Sequence, residues 1–197
     1  MKVVVIGNGE NVLHHKHGEF IDSCDRVIRI NQFVVDGYEE HVGSKLDIYC
    51  AKWHKIVHHD KEFLHKHNAF WFPHPAPPTM WGALRGTYPI TSEAHQLNVN
   101  RFQLDGKDIQ FLDSSTKLFL DKVFDDHVPS VGAIAIAMSR YCFPEAELYI
   151  TGFDCMQSGW YWDPSHNCLE KCRNSIIHER LFFNKYEKNK LEKQPSS

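Results

Sequence analysis

Four short stretches hold the residues that could grip a ligand: Gly7-Asn8-Gly9, Asn31, Pro129-Ser130-Val131-Gly132 and Gly152-Phe153-Asp154. Paired glycines let the main chain turn sharply and approach a bound group closely. Asparagine both donates and accepts hydrogen bonds. Proline, serine and glycine at the start of a helix offer N–H groups and a hydroxyl that suit an anionic or polar ligand. Two late histidines, His166 and His178, add imidazoles, the side chain most often used as a general base. Tyr161 adds a hydroxyl close to them in sequence.

Known ligand signatures narrow the choice. The dinucleotide fingerprint needs a third glycine three positions after the second and an acid at the end of the next strand. Here those places hold Val12 and Asn31, which argues against an NAD site, and no Gly-Lys-Ser/Thr phosphate loop is present. His166, Cys168 and Cys172 lie close in sequence. A zinc site usually needs four ligands in recognisable pairs, and there is no second pair. Each residue also has a plainer use. Gly-Asn-Gly and Asn31 could be ordinary strand exits, Ser130 a helix cap, His178 a solvent-facing helix residue and Tyr161 packing between Trp160 and Trp162.

The elements that must position these residues alternate between strand and helix. Val3, Val4, Val5 and Ile6 form a β-branched run suited to a central strand covered on both faces. Residues 10–20 read as a loop with a short helix, 25–31 as a strand, 32–43 as a polar connection and 43–51 as a turn and strand. A polar, histidine-rich helix over 55–66 and a short strand over 68–72 follow. Residues 73–92 carry five prolines and two glycines and form a long loop, with Trp81 and Tyr88 reading as exposed. Then come a strand over 108–112, a helix over 114–124, an Ala/Ile-rich buried helix over 133–141 and a last strand over 147–151. The lysine-rich end, 186–197, reads as frayed. The alternation predicts one α/β domain over 1–185: a single Rossmann-like, mostly parallel sheet with helices on both faces. The four ligand-gripping stretches then share one rim, since ligands bind at the carboxyl ends of parallel strands.

Composition sets the broad class. With 42% apolar and 24% charged residues over 197 positions, the chain can bury a full core. A net charge of −3 gives no reason to expect nucleic acid as a partner. No apolar run approaches the roughly 18 residues of a membrane span, and the strand pattern starts at Val3, leaving no room for a targeting segment. The six cysteines form no framework and read as mostly reduced thiols of a cytoplasmic protein.

The combination resembles the sialyltransferases of glycosyltransferase families 29 and 42. Val5-Ile6-Gly7-Asn8-Gly9, Ile21-Asp22, Asp25, Val27-Ile28-Arg29-Ile30-Asn31 and Val42-Gly43-Ser44-Lys45-Leu46-Asp47 are similar to their large motif. Pro129-Ser130-Val131-Gly132 through Leu148-Tyr149-Ile150-Thr151-Gly152-Phe153-Asp154 are similar to their small motif. The resemblance covers most of the chain and is weakest over 55–128.

The resemblance implies a modified GT-A domain that inverts the anomeric centre and works without a metal or other cofactor. The donor would be a CMP-sugar, with CMP-Neu5Ac first. Asn8, Gly9 and Asn31 would hold its phosphate and ribose, and Ser130, Val131, Gly132, Gly152 and Phe153 would line the cytidine pocket. Tyr161 and His166 would meet the phosphate, and His178 would be the base. The family's glutamate five positions after its histidine is replaced here by Phe183; Glu179 lies next to His178, and His166, with Glu170 four residues on, is the other candidate base. The loop 73–92, with Trp81 and Tyr88, would be the acceptor lid over a glycan or lipo-oligosaccharide. Eukaryotic family 29 members carry an anchor and a disulfide between the two motifs, whereas Lys2 stands where the cysteine would be. This suggests a bacterial or viral form in the cytoplasm, with peripheral membrane contact through the lysine-rich end. Transfer of Kdo from CMP-Kdo onto lipopolysaccharide, an inactive cytidine-nucleotide-binding module, and an unrelated nucleotide enzyme remain alternatives.

Overall fold

The computed structural model describes residues 1–52, 61–72, 96, 99–125, 127–155, 157–166 and 176–191. Six strands form one sheet in the order β5-β4-β3-β2-β1-β6. They are β1 (Lys2–Ile6), β2 (Arg26–Ile30), β3 (Ile48–Cys50), β4 (Ala69–Phe72), β5 (Asp108–Phe111) and β6 (Glu147–Thr151). All neighbouring pairs are parallel. The chain steps outward from β1 to β5, then returns across the sheet to place β6 on the other side of β1. The gap between the ends of β1 and β6 is therefore the topological switch point, where open parallel sheets bind ligands.

The same path distributes the helices. Right-handed crossovers put the helices of the outward run on one face and those of the return on the other. The outward run contributes α1 (Gly18–Ser23), α2 (Glu39–Val42) and α3 (Lys61–Lys66). Ile21 and Cys24 pack against Val4, Ile6 and Val27, while Leu64 packs with Tyr49, Phe70 and Phe72. The return contributes α4 (Ser114–Phe124) and α5 (Val131–Cys142), joined after β6 by α6 (Ile176–Asn184). These cover Val3, Val5, Ile28, Ile30, Leu148 and Ile150 on the opposite face. The unbroken apolar run of β1 is thus buried from both sides.

Residues Val131 to Ser139 of α5 are all buried. Its alanines let the helix lie close to the sheet, and Ser139 satisfies its hydroxyl by donating to the Ala135 carbonyl at 2.7 Å. On the other face, Arg29 is 1% exposed. Its guanidinium donates to the carbonyls of Val42, Gly43 and Lys45, so it ties the segment after α2 to β2. Burial pulls its pKa down to about 10.

Several local readings are corrected. Within the polar connection 32–43 the chain forms α2, an element the polar pattern does not announce. The buried helix starts at Val131, because Ser130 already caps it. Residues 186–191 are docked rather than frayed: Leu191 is 1% exposed, and Asn189 donates to the Leu148 carbonyl at 2.7 Å. Part of the expected helix over 55–66, namely 55–60, and residues 192–197 lie outside the described residues. Cys24, Cys50, Cys142 and Cys155 are free thiols. Among the described residues, no helix is long and apolar enough to cross a membrane.

Candidate donor-binding site

The ends of β1 and β6 interlock through glycine. Gly7 N–H donates to Thr151 O at 2.8 Å, and Gly9 N–H donates to Gly152 O at 2.9 Å. A Cβ on Gly7 would stand 2.3 Å from Gly152 O, and one on Gly152 would stand 2.5 Å from Gly7 O. Gly152 also has φ +73°, in the left-handed region that favours glycine. Main chain packed against main chain fixes the floor of the switch point, with no side chain between.

Asn8 and Asn31 join this floor to the neighbouring strand exits. Asn8 Nδ2 donates to Gln32 O at 2.9 Å, linking the ends of β1 and β2. Asn31 sits at φ 48°, a conformation asparagine tolerates better than most residues. Its Oδ1 accepts from Lys52 N at 3.3 Å, linking the ends of β2 and β3.

The start of α5 closes the site from the helix side. Ser130 Oγ accepts from Ala133 N at 3.1 Å, and Ser130 O accepts from Ile134 N at 3.1 Å. Among the described residues, the N–H groups of Val131 and Gly132 meet no acceptor. Unpaired N–H groups at a helix start, with the helix dipole behind them, form a ready anion site. Gly132 has a packing duty as well. A Cβ there would stand 2.4 Å from the Phe153 ring, which itself stacks on Phe183 at 5.0 Å. Phe153 is 8% exposed, so its side chain is floor rather than lining.

Glu179 is the site residue that sequence reasoning left unassigned. It is 0% exposed, and its carboxylate accepts from Ser130 N at 2.6 Å and Ser130 Oγ at 3.0 Å. Burial pushes its pKa up to about 7, against the opposing pull of the Ser130 hydrogen bonds and the Lys52 charge. The signal was present in the sequence: Phe182 and Phe183 lie three and four residues on, which puts Glu179 on the buried face of α6.

The expected proton-handling residues divide between two places. His178 is half-buried and stacks on His127, with ring centroids 4.7 Å apart. His166 stacks on Trp160 at 3.4 Å, in the segment that leaves β6. Tyr161 is 2% exposed, and its hydroxyl bonds the Val34 main chain in both directions. Burial raises its pKa to about 12. Its position is that of a brace between 34–38 and the Gly9 turn, where Tyr161 N donates to Asn8 O at 2.9 Å. Asp154, the last residue of the Gly152-Phe153-Asp154 stretch, accepts from Ser158 N and lies against Gly9. Trp81, Tyr88, Cys168, Glu170 and Cys172 lie outside the described residues.

A six-stranded parallel sheet with its topological switch point between β1 and β6 defines a Rossmann-like α/β fold, as the alternation of elements predicts. The chain is sialyltransferase-like. Residues 1–75 match the family model of glycosyltransferase family 29 (sialyltransferase). Over 180 residues the chain is 24% identical to CMP-N-acetylneuraminate-beta-galactosamide-alpha-2,3-sialyltransferase 1 of Sus scrofa, covering 86% of this chain and 50% of that protein. The fold matches a mammalian sialyltransferase structure with a TM-score of 0.65 at 16% identity, covering 95% of this chain and 66% of that one. It also matches the Campylobacter jejuni sialyltransferase CstII, solved with the substrate analogue CMP-3FNeuAc, with a TM-score of 0.58 at 13% identity, covering 94% and 78%. The chain therefore spans about half the length of the curated relative, and the second motif lies beyond the residues that match the family model.

Proposed function

We propose that this chain is an inverting glycosyltransferase that moves a sugar acid, sialic acid in the first instance, from a CMP-sugar to a glycan hydroxyl. The observation that carries the reading is the meeting of the β1/β6 glycine floor with the Val131 and Gly132 N–H groups at the start of α5. Such a site takes an anionic nucleotide without needing a metal. The departing CMP carries its charge on phosphate, and these N–H groups, with Lys52 nearby, would stabilise it. Asn8 and Asn31 would hold the ribose and phosphate from the strand side.

His178 is the proposed base. It lies in the first turn of α6, next in sequence to Glu179, whose carboxylate bonds Ser130 at the α5 entry. Its imidazole would take the proton of the acceptor hydroxyl as oxygen attacks the anomeric carbon. The fold match to sialyltransferases and the family match over 1–75 support this reading.

The test is transfer from CMP-Neu5Ac, with CMP-Kdo in parallel, to a galactosyl glycan or lipo-oligosaccharide in excess EDTA, read by mass spectrometry. The expected result is a product heavier by one sugar-acid residue. Transfer that disappears on chelation would contradict the metal-free mechanism, and no consumption of either donor would contradict the transferase reading.

A further inference from the structure

A second group of chemistry-bearing side chains stands where α4 ends and α6 begins. The ligand atoms of Asp125, His127 and His178 all lie within 4.8 Å of one another. Three elements place them. Asp125 terminates α4 in the left-handed conformation, φ 48°, with its N–H donating to Asp121 O. The chain then folds back, and His127 N–H donates to Phe124 O at 2.8 Å. His178 comes from the first turn of α6 and is seated by His127 and Phe124, while Phe124 packs on Phe182 at 5.6 Å. The group therefore rests on a packed helix pair.

His127 bonds main-chain carbonyls through one ring nitrogen, as metal-binding histidines do. Its Nδ1 lies 3.1 Å from Phe124 O and 3.0 Å from Asp125 O. Carbonyls only accept, so Nδ1 carries the hydrogen and Nε2 of the neutral ring is left with a bare lone pair. A histidine ligand that donates its other ring N–H to a main-chain carbonyl is fixed in tautomer and made more basic. Two imidazoles and a carboxylate suit a borderline divalent ion such as Zn2+ rather than Mg2+ or Ca2+. Zinc bonds of about 2.0–2.1 Å require ligand atoms roughly 3.3 Å apart in a tetrahedron. Binding would turn the stacked His127 and His178 rings so that the three atoms close from their present spacing to that distance, with water in the fourth position.

We propose that Asp125, His127 and His178 form a binding site for a divalent transition-metal ion of the Zn2+ class, which shares His178 with the proposed transfer site. The site stands on its own geometry and does not rest on the transferase reading. One consequence does rest on it: an ion there engages His178, so metal occupancy and base action exclude one another.

The experiment is calorimetric titration of the full chain with Zn2+, together with visible absorption on adding Co2+. Wild type is expected to bind one equivalent at micromolar concentration or below, with a Co2+ band of the intensity typical of low coordination number. His127→Ala should weaken that event at least tenfold. His15→Ala, in the separate His14-His15-His17 group, should leave it unchanged and so exclude that group as the source of the event. Circular dichroism checks that each variant is folded. If His127→Ala does not fold, Asp125→Asn, altered at an exposed position, should show the same weakening to a smaller degree. Equal Zn2+ isotherms for wild type and a folded variant would overturn the proposal. So would a wild-type chain that binds no Zn2+ at 100-fold higher concentration.

Discussion

The two sides of the candidate donor site are built from different materials. On the sheet side, Gly7, Asn8, Gly9, Asn31 and Gly152 act through main-chain contacts and carboxamides, with no titratable group among them. On the helix side, Ser130, Glu179 and His178 are hydroxyl, carboxyl and imidazole, with Lys52 acting on the carboxyl. The sheet side supplies a fixed shape that does not change with pH. The helix side supplies groups whose charge can change during a reaction. Binding should therefore depend chiefly on the first and catalysis on the second.

Substitutions can break that division. The largest effect is expected at Gly7. A Cβ there would stand 2.3 Å from main-chain oxygen, which cannot swing aside as a side chain can. Gly7→Ala should destabilise the fold by about 4 kcal/mol or more, read by chemical denaturation. A variant as stable as wild type would show that the two strand exits can separate.

His178→Ala should lower transfer by roughly two to four orders of magnitude, the usual scale of general acid–base catalysis, while CMP affinity stays unchanged. Equal loss of CMP binding would place His178 on the binding side. Unchanged transfer would move the base to His166.

Glu179 should write its titration into stability. Its carboxyl pKa is raised to about 7 from 4.5. The native state therefore holds a proton that the unfolded chain has lost across that range. The sign follows: stability is greatest below about pH 4.5, falls as pH rises toward 7, and is flat above. The drop amounts to about 3 kcal/mol, at 1.36 kcal/mol per pKa unit. Denaturation midpoints for Glu179→Gln should lose this slope, and a slope that survives the substitution would assign it to another group.

The smallest effect is expected at Asn31. Asn31→Ala puts at φ 48° a residue without the polar side chain that lets asparagine tolerate that region, and removes the acceptor for Lys52 N, costing roughly 1–2 kcal/mol. CMP affinity should fall. Asn31→Gly should restore the backbone stability but not the affinity, which separates a carboxamide that binds from one that only shapes the turn.

Legibility in the sequence followed the same division. The β-branched run of β1, the Gly7-Asn8-Gly9 turn, the exact-length helix at Ser114–Phe124 and the last strand at Glu147–Thr151 are local patterns, and the structure forms each of them. Period and turn chemistry carry that information within a few residues. The helix side depends on contacts far apart in the chain. Ser130 meets Glu179 across 49 positions, and His127 meets His178 only because α4 and α6 pack together. No spacing rule announces such pairs. Tyr161 shows the same limit, since its hydroxyl bonds Val34 across 127 positions. The docking of 186–191 was also hidden, because Tyr186 and Leu191, which anchor it, stand at the ends of a polar run of glutamate, asparagine and two lysines.

Calorimetric titration of the purified chain with CMP, against UMP, GDP and NAD and without added metal, addresses the donor site most directly. The expected result is selective binding of CMP at one site per chain. A folded sample that binds no CMP, or that prefers another of the four nucleotides, would contradict the assignment of this rim to a CMP-sugar.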